Sequence, residues 1–174
     1  MGGNIFFVGL MGAGKTTIGR LIAKHLNKAF YDSDHEIEKR TGVNIPLIFE
    51  LEGEAGFRRR ETAVIEELST MQDIVMATGG GAVLNAENRA NLKSHGTVIY
   101  LRASVHDLWQ RTRNDKNRPL LQVDNAREKL ETLFAERDPL YQEVASLIVD
   151  TGGQPVHQLV NQIEQKLKQL PLSV

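Results

Sequence analysis

Apolar residues recur along this chain in two patterns. Short runs without polar alternation occupy 5–8, 74–77 and 98–101, and two further β-prone runs occupy 29–31 and 147–149. An apolar run lacking alternation suits a strand covered on both faces. Between the runs lie longer stretches of helical periodicity, at 15–26, 34–40, 54–68, 86–92, 105–111, 126–144 and 156–170. Strand and helix in repetition predict a parallel sheet with helices on both sides.

Two segments interrupt this rhythm. Residues 35–70 hold two or three helical pieces where a simple unit needs one, which predicts a small inserted subdomain. Residues 114–125 are polar and basic, carry Arg118-Pro119, and are long for a connection in a compact domain, a length typical of functional lids or of disordered segments. The last residues, 170–174, read as a frayed end.

Length and charge narrow the class. With 174 residues, the chain reads as a single domain over 1–174. Its 41% hydrophobic and 25% charged residues are ordinary for a globular protein and argue against disorder. Twenty-one Lys plus Arg against 22 Asp plus Glu leave a net charge of −1, which argues against a nucleic-acid or membrane binder. The absence of cysteine excludes disulfides, thiolate catalysis and cysteine-ligated zinc. No run approaches a membrane span, and the start lacks the basic region and long apolar run of a signal peptide, so a cytoplasmic location is expected.

The most specific chemistry lies at 9–17, Gly-Leu-Met-Gly-Ala-Gly-Lys-Thr-Thr, which fits G-x-x-x-x-G-K-[ST] with Gly9, Gly14, Lys15 and Thr16 at the fixed positions. Glycines let backbone N–H groups turn inward around phosphate oxygens, and the helix that follows points its positive end at them. Lys15 is placed to reach the β- and γ-phosphates and the Thr16 hydroxyl to bind Mg²⁺. A chance match in a chain of this length is about a 1% event, and the flanking strand and helix make it rarer still.

The other candidate groups are carboxylates and arginines. The strand at 74–77 ends in Thr78-Gly79-Gly80-Gly81, not in the acid of an ATPase or motor, and no Asn-Lys-x-Asp motif is present. The candidate acids instead follow the second strand, in Asp32-Ser33-Asp34. One is free to serve a metal and the other a substrate hydroxyl, as the base of phosphoryl transfer does. The alternative for Asp34 is a cap on the helix starting near His35. Arg58 and Glu61 are three apart and share a helix face, where the acid can orient the guanidinium. Arg137 precedes Pro139, which is expected to kink its helix. Arginine with Asp34 suggests an acceptor carrying a carboxylate and a hydroxyl, although isolated arginines are more often surface charges. Arg111, Arg113, Lys116 and Arg118 make a basic stretch suited to covering a γ-phosphate and excluding water.

Taken together, the loop at 9–17, Asp32-Ser33-Asp34, Gly56-Phe57-Arg58 with Glu61, Gly79-Gly80-Gly81, Arg118-Pro119-Leu120-Leu121 and Arg137-x-Pro139-Leu140-Tyr141 resemble shikimate kinases in order and rough spacing, over essentially the whole chain. The resemblance implies a three-layer α/β P-loop kinase of the nucleoside-monophosphate-kinase type. It has a five-stranded parallel sheet flanked by helices, a substrate-binding subdomain at about 33–62 and a lid at about 112–125. It further implies phosphorylation of the shikimate 3-hydroxyl by MgATP in chorismate and aromatic amino-acid biosynthesis, by a monomer whose partners are ATP and shikimate.

Carried over by position, the resemblance gives Gly12, Ala13, Gly14, Lys15, Thr16 and Thr17 to the ATP phosphates, with Mg²⁺ held by Thr16 and Asp32. Asp34, Lys15 and Arg118 are the catalytic residues. Asp34, Arg58, Gly80 and Arg137 bind shikimate, and Phe49 and Phe57 form an apolar wall unless they merely fill the core. Arg111, Arg118 and Gln154 complete the nucleotide site. Arg59 and Arg60 have no role and are expected at the surface, as are His35 and His106. Another small metabolite kinase, such as a gluconate kinase, or a silent nucleotide-binding relative, are the competing readings.

Overall fold

The computed structural model describes residues 3–114 and 124–171. The order of elements is β1 (Asn4–Val8), α1 (Lys15–Leu26), β2 (Ala29–Asp32), α2 (Ser33–Thr41), α3 (Ile45–Ser69), β3 (Ile74–Ala77), a 3-10 turn (Ala82–Leu84) and α4 (Ala86–His95). There follow β4 (Gly96–Arg102), α5 (Val105–Thr112), α6 (Ala126–Val144), β5 (Leu147–Asp150) and α7 (Val156–Gln169). The strands pair in parallel in the order β2-β3-β1-β4-β5.

This order explains the apolar patterning. β3, β1 and β4 are central, and every residue of β1 and β3 is buried, as is 98–101 of β4. β2 and β5 are the edges and are partly exposed. Phe6 sits opposite Met76 on one side and Val98 on the other, so the middle of the sheet is a continuous apolar layer.

The order also places the site. From β1 the chain moves outward past β3 to reach β2, whereas from β3 it moves past β1 to reach β4. Right-handed crossovers in opposite directions put α1 and α4 on opposite faces, opening a crevice beyond the carboxyl ends of β1 and β3. The loops leaving those two ends are 9–14 and 78–81.

The expected helix at 54–68 is the second part of a longer element. α3 begins at Ile45, capped by the Asn44 side chain, which accepts from Leu47 N at 3.1 Å. It is broken at Gly53, whose φ of 72° is a left-handed conformation that a side chain disfavours. Residues 33–62 thus span α2 and most of α3. α6 continues through Pro139 to Val144. Most of 112–125, including Arg118, and most of the tail at 170–174 lie outside the described residues. Among the described residues no helix is long and apolar enough to cross a membrane.

Candidate active site

α1 starts immediately after Gly14, whose φ of 98° turns the chain from loop into helix. The unpaired N–H groups of the first helical turn therefore face the loop they follow. Met11 to Thr17 line one cavity of about 340 Å³ together with Asp32, Asp34, Thr78, Gly79, Gly80 and Arg111. Lys15 is buried and folds back, its Nζ donating to Gly9 O and, at 3.3 Å, to Leu10 O. Arg111 Nη1 donates to Gly12 O at 3.0 Å, which fixes the end of α5 over the loop.

Asp32 ends β2 and uses both carboxylate oxygens. Oδ2 accepts from Thr16 Oγ1 at 2.6 Å, and Oδ1 accepts from Asp34 N and His35 N at 3.0 and 3.1 Å. The cap on α2 is therefore Asp32, not Asp34, and α2 starts at Ser33 rather than at 34. Asp34, relieved of that duty, lines the cavity.

The glycine run is the floor on which the other groups converge. A Cβ on Gly79 would stand 2.6 Å from Asp34 Oδ1 and 2.9 Å from Glu61 Oε2. On Gly81 it would stand 2.5 Å from Arg58 Cζ, and on Gly80 it would be 3.5 Å from Arg137 Nη1. Three residues without side chains thus let two carboxylates and two guanidinium groups approach the same stretch of backbone. Gly79 N donates to the buried Ser33 Oγ at 3.1 Å, joining the run to α2.

The hydrogen bonding here is incomplete among the described residues. Arg58 Nη1 donates to Glu61 Oε1 at 3.0 Å, and Glu61 is only 1% exposed. Burial pushes the Glu61 carboxyl above its ordinary range, while Arg58 and, more weakly, Arg137 oppose that shift. Arg137 is 2% exposed, and no carboxylate lies within salt-bridge distance of it among the described residues. Its Nε and Nη1, and Nε of Arg58, are buried donors with no acceptor among those residues. Arg58 also pairs with the exposed Glu54 at 3.3 Å, so what remains for an anionic ligand to satisfy is the set of unmet donors on Arg137 and Arg58. Neither arginine is the surface charge that isolated arginines usually are.

A second cavity of about 240 Å³ adjoins the loop, lined by Gly12, Ala13, Gly14, Thr17, Ile18, Arg111, 151–154, Val156 and Leu159. Gln154 lines it, but its amide accepts from Gly152 N at 2.9 Å and donates to Asp150 O at 3.2 Å, so it shapes its own loop. Phe57 is buried and stacks on the partly buried Phe49 with ring centroids 4.9 Å apart, and both belong to the core or its edge. Arg59 and Arg60 are exposed as expected, Arg60 pairing with Glu52 at 2.6 Å. His35 and His106 are exposed too.

A phosphate loop that opens onto a carboxylate, with one buried and one partly buried guanidinium group beyond it, is the arrangement of a P-loop kinase with a small-molecule acceptor. Its fold is shared with a deoxyadenosine kinase from M. mycoides, at a TM-score of 0.66, 19% identity and coverage of 95% and 98% of the two chains. The family model described as shikimate kinase matches residues 11–168, and the chain belongs to that family. It is 60% identical to a shikimate kinase of Burkholderia lata over 165 residues, 95% of this chain and 90% of that one. A shikimate kinase from Acinetobacter baumannii, solved in complex with shikimate, superposes with a TM-score of 0.95 at 51% identity, over 98% of this chain and 96% of that one.

Proposed function

We propose that the chain transfers the γ-phosphoryl group of MgATP to the 3-hydroxyl of shikimate, giving shikimate 3-phosphate and ADP in chorismate and aromatic amino-acid biosynthesis. The observation that carries this reading is the single cavity joining the phosphate loop to Asp34, with Arg58 and Arg137 converging on the glycine run that forms its floor.

Each group then has a task set by its place. Arg58 and Arg137 hold the shikimate carboxylate at the Gly80–Gly81 end of the floor, as guanidinium donors suit a planar carboxylate. That leaves a hydroxyl of the ring toward Asp34 at the Gly79 end. Asp34 accepts the hydroxyl proton as the oxygen attacks the γ-phosphorus, the new P–O bond forms, and the bond to the β-phosphate oxygen breaks to release ADP. Lys15 turns from the loop carbonyls toward the phosphates and offsets their charge. Arg118, which lies outside the described residues, is given by the resemblance the task of offsetting charge on the transferred phosphoryl group.

The metal belongs to the same frame. The Thr16 hydroxyl and the Asp32 carboxylate are adjacent hard oxygen donors on the cavity edge, which suits a Mg²⁺ ion that keeps several waters and binds phosphates. When bound, such an ion neutralises charge on the β- and γ-phosphates. Following the reaction by phosphorus NMR tests the proposal: one new phosphate monoester should rise in step with ADP. Inorganic phosphate appearing in place of the ester would contradict it.

A further inference from the structure

The segment Arg137-x-Pro139-Leu140-Tyr141 supplies one arginine of the clamp, while its tyrosine takes no part in the reaction described above. Tyr141 is fully buried, and its hydroxyl donates to the carbonyl oxygen of Gly80. Arg137 and Tyr141 are four apart on α6 and so lie on one face. Both reach the same glycine, Arg137 with its guanidinium and Tyr141 with its hydroxyl.

The tyrosine ring is itself held from behind. It packs on Tyr100 of β4 with ring centroids 4.9 Å apart. Tyr100 Oη donates to Asp138 Oδ1 at 2.7 Å, and Gln142 Nε2 donates to Asp138 Oδ2 at 2.7 Å. The hydroxyl on Gly80 is therefore carried by a central strand and a helix, not by a loop. Burial holds the Tyr141 hydroxyl well above the ordinary phenol range, with Arg137 opposing, so it remains a proton donor at any working pH.

A glycine run needs such a hold. Successive glycines leave their peptide planes free to rotate, because no Cβ restricts φ and ψ. In a trans peptide the C=O and the following N–H point in opposite directions, and the described chain has no cis peptide. A donor fixed on Gly80 O therefore also fixes the Gly81 N–H, which points away from Tyr141. The Arg58 guanidinium lies against the same Gly81, at the place a Cβ would take.

We infer that Tyr141 is a positioning residue for the substrate carboxylate, acting by locking the Gly80–Gly81 peptide on which Arg58 and Arg137 converge. The inference rests on the proposed reading of those two arginines as the carboxylate clamp.

Tyr141→Phe tests it, since the change removes the donor and keeps the ring. The expected result is a shikimate KM raised about five- to tenfold, the size of one lost hydrogen bond, with the ATP KM unchanged. Tyr100→Phe removes the other hydroxyl of the stacked pair, which bonds Asp138 and not the glycine run, and should leave the shikimate KM near wild type. An unchanged shikimate KM in Tyr141→Phe would overturn the inference, and so would equal rises in both variants. The wild-type protein gives a reading that needs no variant: the Tyr141 hydroxyl proton should exchange slowly with water in proton NMR, and exchange as fast as that of an exposed tyrosine would overturn the contact. A wild-type enzyme without shikimate-dependent turnover would instead overturn the functional reading, leaving the Gly80 contact to be judged by that exchange.

Discussion

Thr16 Oγ1 donates to Asp32 Oδ2 at 2.6 Å, across the gap between the helix that follows the phosphate loop and the helix that carries Asp34. Because the other oxygen of the same carboxylate caps α2, the residue proposed to hold the metal also sets where Asp34 stands.

Two substitutions at Asp32 separate these duties. Asn is as good a cap as Asp, so Asp32→Asn should keep the melting temperature near wild type while raising the Mg²⁺ concentration needed for half-maximal rate. Asp32→Ala should show the same metal defect and lose about 1 kcal/mol of stability. Magnesium titrations of turnover, together with thermal melts, check both.

Asp34→Asn should cut kcat by about 10²- to 10⁴-fold, the usual size of a lost general base, and leave nucleotide affinity nearly unchanged. The physical reason is that Asp34 makes no part of the phosphate loop. Single-turnover rates and binding of a fluorescent ADP analogue read the two effects apart. Retained turnover would remove Asp34 as the base.

Glu61 affects both binding and pH response. Glu61→Gln deprives Arg58 of its buried charged partner, leaving only the exposed Glu54, and should raise the shikimate KM, with Arg58→Ala raising it further. Burial sets the Glu61 carboxyl above its unfolded value, so its contribution to stability is fully present below the unfolded value of about 4.3 and is lost as pH climbs through the folded one. Glu61→Gln, which cannot ionise, should therefore gain melting temperature relative to wild type as pH rises from about 5 to about 8. A gap between the two that stays constant with pH would contradict the shift.

Gly81→Ala should be costly in a particular way. Its methyl group would fall on the Arg58 guanidinium, so either the arginine or the glycine run must move. Because the guanidinium is the end of a flexible side chain it can swing aside, so little stability should be lost, and the loss of shikimate affinity should exceed any loss of ATP affinity. Equal losses for both substrates would point to general unfolding.

Much of this was legible in the chain itself. The unbroken apolar runs at 5–8, 74–77 and 98–101 are the central strands, because only strands covered on both faces have no polar side. The Gly-x-x-x-x-Gly-Lys-Thr spacing reports a backbone geometry and so needs no tertiary information. Residues 45–53 were harder, since Pro46 lies in the first turn of α3 and Gly53 interrupts it, so this part of the helix carries no unbroken helical period. The division of labour at Asp32-Ser33-Asp34 was hidden too: a one-residue spacing fits either acid as the cap, and only the partners across the sheet decide. The importance of three consecutive glycines is likewise a matter of what packs against them, which spacing does not record.

That the site selects shikimate over another acceptor carrying a carboxylate and hydroxyls is tested most directly by ADP release from MgATP. Release should be shikimate-dependent and saturable, with a low background in the absence of acceptor and none stimulated by gluconate. Release with gluconate alone, or nucleotide binding without release under any acceptor, would contradict the account.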